Sequence, residues 1–503
     1  MTDALPLLVV IPLFAALFPV ALGYLWNDAG WVTAAITAVV HLGLAGIVAQ
    51  QVLNSGQFNY AVGGFQPPIG IELVADSVTA VLVVLVSIIT ILTVAYARRA
   101  GPHQNAFYSE LLLLTAGVSG VIITGDLFNL YVFLEITGLA TYALVAANRS
   151  PAAALASVKY LLVGTIGASL YLLGVGYLYI ATGTLNMADL ASQLPAVGYD
   201  TPLVVTGFTL LMTGLAIKTA LFPVHTWQPN AYAESPHSVT VYIAALVSTA
   251  AAYAIFRITY TVFSTSFASA VPLALDALAW AAAVSVIVGS VLAVVQSDLK
   301  RMLAYSSVAQ FGLIIAGIAV MNEIALTGSL VHLVGHAVMK AGLFVALGGL
   351  ASIAGGRTID DMIGLGRRAP IVSLGFATLA FALVGVPPAI GFAGKWQIVL
   401  GAVSAGHWAV ATVAVVSTML TLAYFLRIVE RLYFRSPSSV PVDEQTSDMS
   451  TNMTTDGGNA TLPSSISTTT RVIVTLSAIS AIGLGLAASD LIVVLEPALE
   501  VYF

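Results

Sequence analysis

Apolar residues along this chain come in long, nearly unbroken runs. They do not show the one-sided 3.6-residue rhythm of a helix with one wet face. Short joints rich in glycine, proline and charge separate the runs. A helix rises about 1.5 Å per residue, so roughly 20 apolar residues cross the hydrocarbon of a bilayer. Fourteen runs are long enough: 4–24, 31–53, 76–97, 107–125, 127–147, 155–182, 202–224, 237–262, 273–296, 302–321, 324–354, 371–402, 407–434 and 472–490. The pattern predicts an all-α polytopic membrane protein of about 14 transmembrane helices. The first run has no basic leader and no small-residue cleavage site, so it reads as a retained helix.

Two runs are interrupted. The seventh carries Lys218 and then Pro223, which lacks a backbone donor and breaks or kinks a helix. The twelfth carries Gly385, Pro387, Pro388, Gly391 and Gly394, followed by Lys395. Broken helices at corresponding positions of two halves point to an ion site in repeat-built transporters. The breaks lie five spans apart, and an odd number of spans inverts the next unit. This predicts two inverted five-helix repeats, spans 4–8 (107–262) and spans 9–13 (273–434), behind three N-terminal helices in 1–98. The stretch 436–470 is rich in Ser and Thr, carries Asp443, Glu444, Asp448 and Asp456, and reads as a disordered cytoplasmic linker. The last helix follows in 472–503. The glycine- and proline-rich joint 54–75 predicts a small hairpin.

Composition agrees. The chain is 59% apolar and 8% charged, against about 25% charged in soluble domains. It has no cysteine, which excludes disulfides and thiolate metal sites within it. The net charge of −6 offers no basic patch for nucleic acid. Arg98, Arg99, Arg149, Lys300, Arg301, Arg357, Arg367, Arg368, Arg431, Arg435 and Arg471 all fall on one side of a fourteen-span layout. The positive-inside rule makes that side cytoplasmic and turns both termini outward, in a cell membrane. Arg257, near the outer end of span 8, is the exception.

Of five lysines, four lie within apolar runs. An amine in hydrocarbon is costly, and unlike arginine it can titrate. Lys218 is therefore a candidate proton-transfer group, with snorkelling to the interface as the bland alternative. Glu135 in span 5 is the one deep carboxylate, and Lys218 is its natural partner, as a proton switch or as a structural ion pair. His332, His336 and Lys340 in HLVGHAVMKAGLF stand at i, i+4 and i+8, along one face of span 11. They read as a relay or as a packing stripe. Zinc would need a third ligand that the sequence does not show. Lys395 is the second broken-helix lysine and a candidate terminal group. Lys159 either interacts with Glu135 or snorkels. His225, Ser248 and Thr249, with Ser306, Ser307 and Gln310, are supporting polar groups that can order water or pack helices. Together these residues form a row across the mid-membrane plane, as lateral proton conduction requires. No cofactor is expected.

KTALFPVHTWQPNAYAESPHSV resembles the K-x-x-x-F-P-x-H-x-W-L-P-x-A stretch of the antiporter-like subunits of respiratory complex I and of the Mrp cation/proton antiporters. HLVGHAVMKAGLF and GVPPAIGFAGKWQI resemble that family's eleventh and broken twelfth spans. YLYIATGTLNMADLA is similar to the D-type subunit of the Mrp antiporters. The resemblance covers nearly the whole chain. It implies fourteen helices with two inverted five-helix units, and it puts the family's ionisable positions on Glu135, Lys218, His336, Lys340 and Lys395. It implies a subunit that works with other subunits in the bilayer and handles protons and a monovalent cation, Na⁺ first. Three functions follow: a cation/proton antiporter subunit, a proton-pumping subunit of a redox complex, and a scaffold that has lost conduction. The chain departs from the family at Thr249, where relatives often carry lysine four residues before the tyrosine that is Tyr253 here. It departs again at Gln228 and Asn230, where leucine and aspartate are usual.

Overall fold

The protein is described here by a computed structural model covering residues 3–435 and 465–503. Among the described residues, thirteen helices are long and apolar enough to cross a membrane, from Ala4–Gly23 to Thr468–Leu486. The remaining crossing is the broken twelfth span, Pro370–Val384 followed by Ile390–Ser404. The seventh span is broken too: Pro202–Thr219 stops, and helix resumes at Trp227–Glu234.

The structure shifts three of the predicted boundaries. Lys300 and Arg301 are not in a joint but in the first turn of Leu299–Ala319, whose N-cap Asp298 accepts from Arg301 N at 3.0 Å. Charge marks a joint in a hydropathy pattern, yet Asp298 is a helix start signal. The linker expected at 436–470 lies outside the described residues up to 464, and from Thr468 onward the chain is already helical. The last crossing ends at Leu486, earlier than expected, and a further helix, Ala488–Leu499, packs against Ser77–Ala100 and Glu323–Ala354.

The hairpin expected in 54–75 is present. Phe58–Ala61 pairs antiparallel with Glu72–Ala75, Phe58 opposite Ala75. Its Glu72 carbonyl accepts from Gly125 N at 2.8 Å, and its carboxylate from Asn186 Nδ2 at 3.1 Å, so it ties the mouths of three spans. At the opposite face the basic joints touch one another. Arg149 reaches Gln104, Arg357 pairs with Asp298 and Glu234, and Arg431 pairs with Asp360.

Burial is uneven. His237–Ala270 and Leu299–Ala319 form the centre, with 100% and 94% of their most apolar windows buried, whereas Ala29–Ser55 and Thr468–Leu486 are at 33% and line the rim. Bilayer lipid gives no hydrophobic drive between helices, so close approach needs small residues. A Cβ on Gly214 would sit 2.5 Å from the Gly167 carbonyl oxygen, and this contact seats spans 6 and 7 backbone to backbone. The first three spans are held to the fourth by buried His41, whose ring nitrogens lie 3.1 Å from Leu8 O, 2.7 Å from Ser87 Oγ and 3.0 Å from Ser119 Oγ. The eighth span contains two π-helical stretches, Ile243–Val247 and Ile258–Phe263, which mark irregular turns of the kind often found at functional sites.

Candidate functional site

The break in the seventh span begins before its proline. Ala220 adopts a left-handed conformation (φ 62°, ψ 46°) and ends the helix at Thr219, with Pro223 inside the irregular link. Lys218 therefore stands in the last helical turn, where unpaired carbonyls favour a cation. Its Nζ donates to Glu135 Oε1 at 3.0 Å, and Tyr142 Oη is 3.5 Å away. The lysine side chain is 8% exposed and the glutamate 24%. Glu135 and Tyr142 are seven residues apart, two turns, so they share one face of span 5.

Packing holds this group in place. Tyr142 meets Tyr160 edge to face, and Tyr160 stacks on Trp227 with centroids 3.8 Å apart. Trp227 Nε1 donates to Ile217 O at 2.9 Å, beside the 3.1 Å bond that this carbonyl takes from Ala220 N at the helix end. A Cβ on Gly138 would lie 3.1 Å from Lys218 Nζ, and one on Gly164 would overlap Tyr142 Oη. Lys159, by contrast, is exposed on Pro151–Thr182, and the partner at Glu135 is Lys218 instead.

Between the two broken helices lies a neutral polar layer. Gln228 Nε2 donates to Tyr232 Oη at 3.0 Å and to Ser248 Oγ at 3.3 Å. Thr249 donates back to its own helix, to Ala245 O at 2.7 Å. The link of span 7 reaches the second half directly, since Phe222 N donates to Ser285 Oγ at 3.1 Å. His225 sits in that link, facing the Phe222 and Tyr305 rings.

The second half carries the other ionisable groups. Lys340 is fully buried and donates to Leu303 O at 2.7 Å and Ser306 Oγ at 2.5 Å. His332 Nε2 lies 2.8 Å from Gln310 Oε1, and His336 packs its ring on Phe311 at 4.6 Å. Lys395 reaches back across the break and donates to Leu383 O at 2.8 Å and Val384 O at 3.2 Å. Gly385 (φ 100°) ends the first half-helix and frees those carbonyls; Pro387 and Pro388 fill the link. Both broken-helix lysines thus sit on the carbonyl end of the first half-helix. Among the described residues, Gln228 Oε1, His225 Nδ1, His332 Nδ1 and both ring nitrogens of His336 are buried without a protein partner.

Sequence reasoning missed several members. Tyr142 and Tyr160 resemble ordinary apolar-run aromatics, although the seven-residue spacing from Glu135 to Tyr142 is a usable signal. Lys300 is 1% exposed and donates to Ser235 O at 2.7 Å and Thr240 Oγ1 at 3.1 Å. A helix start placed three residues too late hides it.

Residues 124–421 match the profile of the family described as NADH:quinone oxidoreductase/Mrp antiporter, TM. The chain is 44% identical over 445 residues to the N-type subunit of the NADH-quinone oxidoreductase of Desulforudis audaxviator, covering 86% of this chain and 87% of the relative. It is 30% identical over 403 residues to the D-type subunit of the Na(+)/H(+) antiporter of Bacillus subtilis, covering 79% and 80%. Among solved structures it is similar to a chain of the Mrp complex from a Dietzia species, with a TM-score of 0.88 and 27% identity over 100% of this chain and 98% of that chain.

Proposed function

The chain belongs to the NADH:quinone oxidoreductase/Mrp antiporter family, and on that premise we propose that it is a proton-translocating subunit of a multi-subunit monovalent cation/proton antiporter. Protons move sideways through the membrane plane, from the Glu135–Lys218 pair through the Gln228–Ser248 layer to His332, His336 and Lys340, and on to Lys395. The observation that carries this reading is the Lys218–Glu135 contact at 3.0 Å on a helix end in the bundle interior. A proton that leaves or joins this pair changes which of two arrangements is favoured, because an unpaired charge there is expensive. The orphaned polar atoms of Gln228, His225, His332 and His336 support a water-bridged path, since buried polar atoms require partners and water is the smallest one. Thr249 in place of the family's lysine leaves this middle section without a charge, so water must carry the step there. The chain itself makes and breaks no covalent bond. It lies in the cell membrane with both termini outward, among other subunits, with Na⁺ as the exchanged cation.

A second reading is favoured by the 44% identity to an NADH-quinone oxidoreductase component. In it the same proton path is powered by redox subunits on other chains. Purifying the complex from its native membrane separates the two. Small antiporter-type subunits support the first, and flavin- or quinone-handling subunits the second. The path itself is tested in inverted membrane vesicles with a pH-sensitive dye: wild-type proton movement in an assembled Lys218→Ala complex would remove that residue from the mechanism.

A further inference from the structure

The ion pair least explained by the relay lies at the hairpin face. Arg257, the arginine that broke the orientation rule, is buried in span 8 and contacts Asp76 at 2.5 Å, with side chains 7% and 5% exposed. Its Nε and Nη2 donate to Tyr253 Oη at 2.9 and 2.6 Å, its Nη2 to Thr79 Oγ1 at 3.1 Å, and its Nη1 to Tyr502 Oη at 3.2 Å. Thr249, Tyr253 and Arg257 stand at i, i+4 and i+8, so one face of span 8 runs from the mid-membrane layer to this pair over about 12 Å. Tyr253 Oη, which donates to Ile122 O at 2.8 Å, also lies 3.3 Å from Thr79 Oγ1, a second hydroxyl on this face.

Asp76 has another side. It lines a surface cleft of about 270 Å³ together with Gly56, Gln57, Ser77, Val494 and Pro497. The cleft lies between the end of Ala29–Ser55, the start of Ser77–Ala100 and the helix Ala488–Leu499. Tyr502 lies on the Arg257 side of the pair. Its hydroxyl lies 3.1 Å from Thr261 Oγ1, and its ring packs on Phe256 and Tyr260 at 5.9 and 5.6 Å. As a brace alone, a buried ion pair is a poor choice, because apolar residues of similar volume hold helices as well or better.

We propose that Asp76, paired with Arg257, is the port through which protons pass between the relay and solvent on the hairpin face. The inference rests on the proton-translocating reading. A proton arriving through bridging water along this face, past Tyr253 to the Thr79 hydroxyl, neutralises the Asp76 carboxylate. Arg257 then keeps only its hydroxyl partners, Tyr253, Thr79 and Tyr502. The carboxylic acid gives the proton to water in the cleft, and the carboxylate pairs with Arg257 again. One proton has moved and the side chains are unchanged.

The test uses the assembled complex in inverted membrane vesicles. Asparagine still caps the helix at Thr79, so Asp76→Asn keeps the start of span 3. The expected result is at least a tenfold loss of proton translocation in Asp76→Asn, with Asp76→Glu retaining a third or more. The chain has no native cysteine, so Val494→Cys supplies a single thiol in the cleft. Its modification by a bulky membrane-impermeant reagent, applied to intact cells before their membranes are inverted because the hairpin face is the outer one in the proposed orientation, should lower the rate at least fivefold relative to vesicles from untreated cells, which gives a readout even if Asp76→Asn fails to assemble. A wild-type rate in assembled Asp76→Asn, or full labelling of Val494→Cys without slowing, overturns the port. Glu135→Gln run in parallel tells the failures apart. If it blocks translocation while Asp76→Asn does not, the port falls and the relay stands; if neither variant slows translocation, both fall.

Discussion

Replacing Glu135 with glutamine removes one charge from the pair at the end of the broken seventh helix and changes little else in size. At the observed 3.0 Å, an effective dielectric of about 20 puts the attraction at about 5 kcal/mol. The glutamate is 24% exposed, so solvent screens part of this, and roughly half remains. A change of about 2–3 kcal/mol is on the order of 100-fold in an equilibrium or a rate. Proton translocation by the assembled complex in inverted vesicles, followed by dye quenching, is therefore expected to fall on the order of 100-fold in Glu135→Gln. The same is expected of Lys218→Met. The decisive variant is the neutral pair Glu135→Gln with Lys218→Met. Removing both charges spares the cost of leaving one unpaired, so assembly and melting temperature should recover relative to either single variant. If the pair only braces spans 5 and 7, translocation recovers with them. If it carries protons, translocation stays low. Recovery of transport in the neutral pair would refute the relay at its first step.

Four further outcomes follow from the geometry. Gly164→Ala should slow translocation several-fold, because its methyl would occupy the place of the Tyr142 hydroxyl, while Gly176→Ala, with no described neighbour within 4 Å, should have no effect in the same assay. Lys395→Met strips the donor from the Leu383 and Val384 carbonyls and should lower stability by about 1–3 kcal/mol in thermal melts, besides abolishing transport. Lys300→Met likewise leaves Ser235 O without its donor, and should raise protease sensitivity around Glu234–Ser238 with a smaller effect on transport. Outside the spans, the hydrogen bond from Arg98 holds the Asp28 carboxyl below its ordinary value of 3.8. The folded value is the lower one, so this contribution is present above pH 3.8 and fades as pH falls through the folded value. Asp28→Asn should thus differ from wild type in melts near neutrality, converge with it in acid, and transport normally.

The spans were legible because crossing a bilayer demands a run of apolar residues whatever the tertiary contacts are. The broken helices were legible for a related reason, since proline and glycine clusters act through local backbone geometry. The partner of Lys218 was inferable because span 5 offers one deep carboxylate and hydrocarbon tolerates no lone charge. What depended on helix rotation was not legible. Lys159 and Lys218 both lie in apolar runs, yet one faces outward and the other is buried, and hydropathy does not report azimuth when a helix is apolar all round. Lys300 was lost to a three-residue boundary error, because the expected span began at 302 and the helix begins at Leu299. Arg257 looked like a violation of the charge rule and became intelligible only with Asp76 beside it, 181 residues away in the chain.

The two broken spans solve one physical problem in two ways. An ammonium in the middle of a membrane needs electron-rich partners, and an intact helix has none to spare because each carbonyl is committed to an amide four residues on. Interrupting the helix releases carbonyls without introducing another charge. In the twelfth span this is the whole device: Lys395, on the second half-helix, is met by the freed oxygens of Leu383 and Val384. In the seventh, Lys218 occupies the last turn itself, Trp227 donates to the carbonyl at Ile217, and a carboxylate from span 5 completes the site. A break alone therefore seats the amine of the twelfth span, whereas Lys218 Nζ meets no released carbonyl and has Glu135 and Tyr142 as its partners. The two ends of the row therefore answer differently to a proton: at the seventh span its gain or loss leaves one charge of a pair alone, which is expensive, while at the twelfth the amine rests on neutral carbonyls and no carboxylate is left behind.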